Sequence, residues 1–210
     1  MRTFIIVFSM LLLCSFSTEN DPFTSMKDVA AFKAGITKMA ASTNTIKASF
    51  KQEKYLSILS NKINSRGTML FKKENQLRWE YNDPFQYIII LNGKQIIVKD
   101  QGKVNSMDIA GSQTFKQINE LLINSVQGNI LDESKFSIEY LEGKETFLTR
   151  LTPKEEQLKK YLNEIEVYFD RQDFSVSKVK LIENEGDYTL ISFFNKKMNE
   201  PISDENFSVK

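Results

Sequence analysis

The sequence predicts a mainly β protein with some α-helix, in which one unclosed antiparallel half-barrel is covered by amphipathic helices. Apolar and polar residues alternate with a period of two in segment after segment from Ile46 nearly to the end of the chain. Only two stretches carry helical spacing, and no Pro/Gly-rich linker, repeat or low-complexity tract divides the 210 residues. A sheet of about ten strands has to curl, and its concave face then needs a cover, which the helices supply.

Residues 1–17 have one charge, Arg2, and an almost unbroken apolar run from Phe4 to Phe16. That is the form of a secretory signal peptide, and the run is short of the roughly 20 apolar residues a membrane-spanning helix needs. Ser15 and Ser17 offer a small-x-small site, so cleavage is expected between Ser17 and Thr18, leaving a single exported domain over 18–210. Cys14 allows a second reading, a lipid-attachment cysteine, but the bulky Leu13 directly before it argues for an ordinary signal-peptide residue. Removal of the signal takes Arg2 and the only cysteine, leaving 27 basic and 27 acidic residues. Solubility then rests on mixed surface charge.

From Ser25 to Ala41, apolar Val29, Phe32, Ile36, Met39 and Ala40 recur every three or four residues and form one stripe of a helix, with Ser25 and Asp28 suited to its start. Ile46, Ala48 and Phe50 then alternate with Lys47, Ser49 and Lys51 as a half-buried strand. Met69 and Phe71, and Leu77, Trp79 and Tyr81 against Arg78 and Glu80, continue the pattern around a polar turn at Lys72 to Asn75. Tyr87 to Leu91 and Gln95 to Lys99 flank Asn92-Gly93, a hairpin signal because both residues tolerate the positive φ of a two-residue turn. Lys103 to Asp108 reads as one more short strand. Phe115, Ile118, Leu121 and Leu122 return to helical spacing, and strands resume at Phe136 to Leu141, Thr146 to Leu151, Leu162 to Asp170, Val176 to Ile182 and Tyr188 to Phe194.

Composition removes much chemistry. There is no histidine, so histidine-based nucleophile pairs, zinc sites and proton shuttles are excluded, and there is no GxSxG. With 28 basic against 27 acidic residues and no basic run, the chain carries no electrostatic footprint for nucleic acid. Carboxylates cluster at Asp132-Glu133, at Glu155-Glu156 and at Glu183-Asn184-Glu185, but without the spacing of a calcium loop they read as turn and surface charge. Trp79, between Arg78 and Glu80, must face inward. Whether the concavity it faces is packed solid or open does not follow from the pattern.

The stretch from Lys47 to Asp100 resembles the outer-membrane lipoprotein carrier family, the LolA-type periplasmic proteins. The matching features are Phe50-x-Gln52, Gly67 opening a strand, Leu77-Arg78-Trp79-x-Tyr81, Pro84 and Asn92-Gly93-Lys94, with a fainter match through Leu151-Thr152-Pro153-Lys154 and the last strands. The resemblance implies a non-enzymatic carrier without cofactor or metal, which binds lipoprotein acyl chains between curved sheet and helices. Such a carrier acts as a monomer between an inner-membrane transporter and an outer-membrane acceptor. A carrier of another apolar cargo, such as a glycolipid or an acyl or polyene product, fits the same fold, as does a membrane-anchored acceptor relative. The expected ligand-binding residues are Ile46, Ala48, Phe50, Met69, Phe71, Leu77, Trp79, Tyr81, Ile88 and Ile90 of the sheet and Ile36, Met39, Ala40, Phe115, Ile118 and Leu122 of the helices. Where the family commonly has an arginine followed by proline, this chain has Lys73-Glu74. The family's arginine holds the helical lid closed, so Lys73 is expected to reach a helix carbonyl as a latch without arginine's planar fork of donors.

Overall fold

A computed structural model of the chain describes residues 23–59, 61–73, 75–93, 95–108 and 131–208. In chain order the strands are β1 (Thr24–Ser25), β2 (Thr45–Leu56), β3 (Asn61–Lys72), β4 (Gln76–Asp83), β5 (Tyr87–Asn92), β6 (Gln95–Asp100), β7 (Lys103–Asp108), β8 (Phe136–Glu142), β9 (Thr146–Pro153), β10 (Leu162–Asp170), β11 (Val176–Glu183) and β12 (Tyr188–Met198). The helices are α1 (Val29–Ser42) and the single turn α2 (Glu156–Lys159). All twelve strands form one sheet in the order β1-β8-β9-β10-β11-β12-β2-β3-β4-β5-β6-β7. Two meanders, β2 to β7 and β8 to β12, are joined where β12 pairs with β2, and β1 and β7 lie at opposite ends, so the sheet is not closed.

The fold is the mainly β, unclosed antiparallel architecture that the alternation predicts. The count rises from about ten to twelve among the described residues, partly because β1, two residues long, is too short to alternate. β2 and β3 run well past their apolar segments, pairing from Lys51↔Arg66 to Leu56↔Asn61; this outer part is held by backbone ladder bonds, which leave no hydrophobic period to read. The hairpin forms one position later than expected: Asn92 is the last residue of β5, paired with Gln95, and of the expected turn pair only Gly93 takes a positive φ, 63°. The first helix begins later than expected, at Val29, because Asp28 is its cap: Asp28 Oδ1 accepts from the Ala31 N–H at 2.8 Å. Residues 24 and 25 pair with β8 instead. The connection between β9 and β10 contains α2, with Glu155 at its N-cap. The second helical stretch and the N-terminal signal segment lie outside the described residues.

Phe32, Ile36 and Met39 are the buried stripe of α1. Phe32 meets the rings of Phe147 at 5.0 Å, Phe169 at 5.3 Å and Tyr140 at 6.2 Å. Together with Ile36, Leu151, Ile165, Val167 and Val179 these form one core cluster over β8 to β11. A second cluster, over β2 to β6 and β12, holds Ile46, Ala48, Phe50, Met69, Phe71, Leu77, Trp79, Leu91, Ile96 and Ile191. Gly35 lets α1 approach the β10–β11 turn so closely that a Cβ there would sit 2.5 Å from the Phe174 ring.

A recess between the two cores

The two clusters do not merge. Between them an apolar recess opens, about 600 Å3 counted out to its solvent-continuous mouth. Met39 of α1, Ile46 and Ala48 of β2, Met69 of β3, Leu77 and Trp79 of β4, Val176 and Val179 of β11 and Ile191, Phe193 and Met198 of β12 line it. Among the described residues, Ser175 and Lys196 are the polar members of the lining.

Cross-strand register explains the sheet side of this wall. Ala48 stands opposite Met69, which stands opposite Trp79, and Ile46, Phe71 and Leu77 form the parallel row. One face of three strands therefore supplies Ile46, Ala48, Met69, Leu77 and Trp79 to the lining, as period-two alternation requires. Phe50 is fully buried one step further along, its ring 4.1 Å from that of Trp79 and 5.3 Å from that of Tyr81. The Tyr81 hydroxyl donates to Gln52 Oε1 at 2.9 Å, and burial raises the phenol's pKa above its ordinary value, partly offset by the Trp79 indole and by Gln52. The Trp79 N–H is buried and makes no hydrogen bond of normal geometry, although the Tyr81 hydroxyl is near enough to feel it.

Of the residues expected from sequence, Met39, Ile46, Ala48, Met69, Leu77 and Trp79 are brought together around the recess. Ile36, Phe50 and Phe71 are core beside it, while Ala40 and Tyr81 are half-buried outside the lining. Ile88 and Ile90 require correction. They pair with Glu80 and Arg78, so they lie on the convex face, and Ile89 and Leu91 share the concave face with Trp79. The run from Ile88 to Leu91 is apolar at every position, so alternation carried no register there. Ile90 is nonetheless fully buried, because the C-terminal 3-10 turn Asp204–Phe207 folds against β4 and β5. Arg78 donates to the Asn206 carbonyl at 3.2 Å and Asn92 to that of Phe207 at 3.3 Å. Phe115, Ile118 and Leu122 lie outside the described residues.

The contribution of β11 and β12 was missed. These strands alternate, but nothing in a single sequence says that β12 returns to pair with β2 and so places Ile191, Phe193 and Met198 beside Ile46 and Ala48.

Polar bonds hold α1 towards both of its ends. Lys33 donates to Glu133 at 2.6 Å and lies 5.0 Å from the centre of the Tyr140 ring. Hydrogen bonds from Lys33 and then from Tyr140 hold the Glu133 carboxyl below the usual carboxylate range. At the other end the carbonyls of the last turn lack helical partners. Lys73 Nζ donates to the Ala41 carbonyl at 2.9 Å, Asn199 Nδ2 to the Ser42 carbonyl at 3.0 Å and Thr43 Oγ1 to the Met39 carbonyl at 2.8 Å. A cation at a helix C-terminus also complements the helix dipole. The carboxylate clusters serve structure: Asp132 caps its own turn through Ser134, and Glu183 faces Lys54 and Thr189.

Residues 41–210 match the family model of the outer membrane lipoprotein carrier protein LolA. The chain belongs to the LolA family. Members of the family are periplasmic binding and carrier proteins rather than enzymes. No curated protein matches the sequence. Among solved structures, the LolA-family chain is similar to a conserved protein from Thermus thermophilus with 6% identity and TM-score 0.52, covering 84% of this chain and 90% of that one. It is also similar to a chain of the Pseudomonas aeruginosa MucA/MucB complex with 10% identity and TM-score 0.50, over 86% of this chain and 60% of that one. A LolA superfamily protein from Nitrosomonas europaea matches with 10% identity and TM-score 0.43, over 84% and 97%. At such identities the likeness is one of fold. Among the described residues of this LolA-family protein, no helix is long and apolar enough to cross a membrane.

Proposed function

We propose that this LolA-family protein is a periplasmic carrier that takes up the acyl chains of lipoproteins, or of another lipid, in the recess beneath α1 and shuttles them from the inner to the outer membrane. The observation that carries this reading is the recess itself: apolar walls from two core clusters meet beneath a helix that exposed polar bonds also hold. Among the solved structures, a complex of MucB with MucA indicates that this fold also binds protein partners.

A chain of about 16 carbons represents roughly 12 kcal/mol of gross transfer energy at about 0.8 kcal/mol per methylene, and a membrane offers a similar sum. Transfer therefore turns on small differences, which favours a site that closes over its own apolar lining. The recess lies beneath α1, so uptake and release are both expected to involve movement of that helix. Native mass spectrometry of the protein isolated gently from its own cells is expected to show a bound lipid. Palmitate is expected to change the emission of Trp79, the only tryptophan in the chain. Absence of any lipid mass together with an unchanged emission would overturn the carrier reading.

Lys73 is proposed as one latch of that helix. A hydrogen bond from a charged donor contributes roughly 1.5–3 kcal/mol at most, less at an exposed site, so Lys73→Leu is expected to speed acyl-probe release about 3- to 10-fold. Lys73→Arg is expected to keep or slow it, because the guanidinium donors are preorganised. Stopped-flow release from both variants is the check, and rates equal to wild type in Lys73→Leu would remove Lys73 from the gate.

A further inference from the structure

Among the described residues, Lys196 is the one charged side chain in the wall of the recess, and the backbone puts it there by a specific device. On β12, Phe194 pairs with Ser49 and Lys197 with Lys47. Three steps along β12 thus match two along β2, which is a β-bulge with one extra residue opposite Ala48. Asn195 takes up the turn at φ 52°, a conformation that asparagine accepts more readily than most residues. The bulge re-aims the next side chain, so Lys196 turns into the recess instead of out to solvent as strict alternation would have it. Its ammonium donates to Ser175 Oγ, whose residue is 3% exposed, and to the Val176 carbonyl at 3.5 Å. Both acceptors are neutral. Among the described residues no carboxylate lies within ion-pair distance of Lys196, whereas Lys33, Lys54, Lys62, Lys72, Lys159 and Lys197 each have one.

A half-buried cation beside apolar walls with no anion to face is electrostatically incomplete, because partial desolvation raises its cost and only an opposite charge recovers it. We infer that Lys196 is a headgroup site: the cargo is a long-chain amphiphile whose polar end is anionic, a carboxylate or a phosphate, with its chain in the recess and its charge on the Lys196 ammonium. Ser175 and Val176 hold the ammonium in place, so little rotamer freedom is lost on binding. The inference rests on the acyl-carrier reading and goes beyond it by naming the chemistry of the cargo's head.

The test uses three probes of the same chain length, palmitate, hexadecyl phosphate and the neutral hexadecanol, titrated against Trp79 emission at low salt. Wild type is expected to bind at least one anion about tenfold or more tighter than hexadecanol. Lys196→Met is expected to abolish that preference, so that the anions bind no tighter than hexadecanol, and Lys196→Arg to retain it. Preference for only one of the anions identifies the headgroup. Equal affinity of wild type for charged and neutral probes, or a preference that survives in Lys196→Met, overturns the headgroup site and leaves the acyl-chain recess standing. Failure of all three probes to bind wild type overturns the recess as an acyl site, and the headgroup site with it. A circular-dichroism spectrum and urea midpoint equal to wild type show that Lys196→Met is folded.

Discussion

Gly67→Ala is expected to destabilise the protein by about 3 kcal/mol or more and to lower Tm by roughly 6–12 °C. Gly67 on β3 stands opposite Phe50 on β2 and Tyr81 on β4. A Cβ there would lie 1.9 Å from the Glu80 carbonyl oxygen and 2.6 Å from the Phe50 ring. The first contact is with backbone, so relief demands movement of β4 itself. The second displaces a fully buried ring stacked on Trp79, so the emission of the folded variant is expected to shift as well. Urea and thermal melts followed at Trp79 check both parts. A melt indistinguishable from wild type would mean that the strands can part here without cost.

Phe32→Ala is expected to cost about 3–5 kcal/mol and to loosen α1 from the sheet. Phe32 is 2% exposed and touches aromatic rings on β8, β9 and β10, so its removal opens a cavity walled by rings that cannot readily collapse. Because Met39 lies two turns further along the same stripe, a loosened helix exposes the recess. Increased binding of an apolar dye, with a lower urea midpoint, is the expected signature. A lower midpoint with no added dye binding would show that α1 stays seated over the recess without this anchor.

The strands were legible in the sequence because nearly every one has one wet and one dry face, and Trp79 was placed because charged residues flank it on both sides. That logic fails wherever both faces are dry. Ile88 and Ile90 were assigned to the wrong face because the C-terminal turn buries the convex side of β5, and a run that is apolar on both faces has no period. It fails again where the ladder slips: Lys196 reaches the recess only through the extra residue in β12, and an asparagine one position earlier is too common a residue to announce it. The hydrogen bond from Lys73 was expected on the family resemblance, not on periodicity. The β12 side of the lining depends on a pairing between strands about 140 positions apart, which local pattern does not encode.

An open sheet differs from a closed barrel in having two edges, each a row of unsatisfied backbone groups that invites another chain to add itself. Here the ends are unequal. β1 offers only two residues, too few to template a foreign strand. β7 is longer, but its backbone carries Lys103, Asn105 and Ser106, all exposed, so a strand docking there would have to accept an ammonium and polar side chains beside its own. The gap that gives α1 room to move would, with plain apolar edges, also be an invitation to polymerise. Among the described residues, a two-residue strand at one end and polar side chains at the other both disfavour edge-to-edge association.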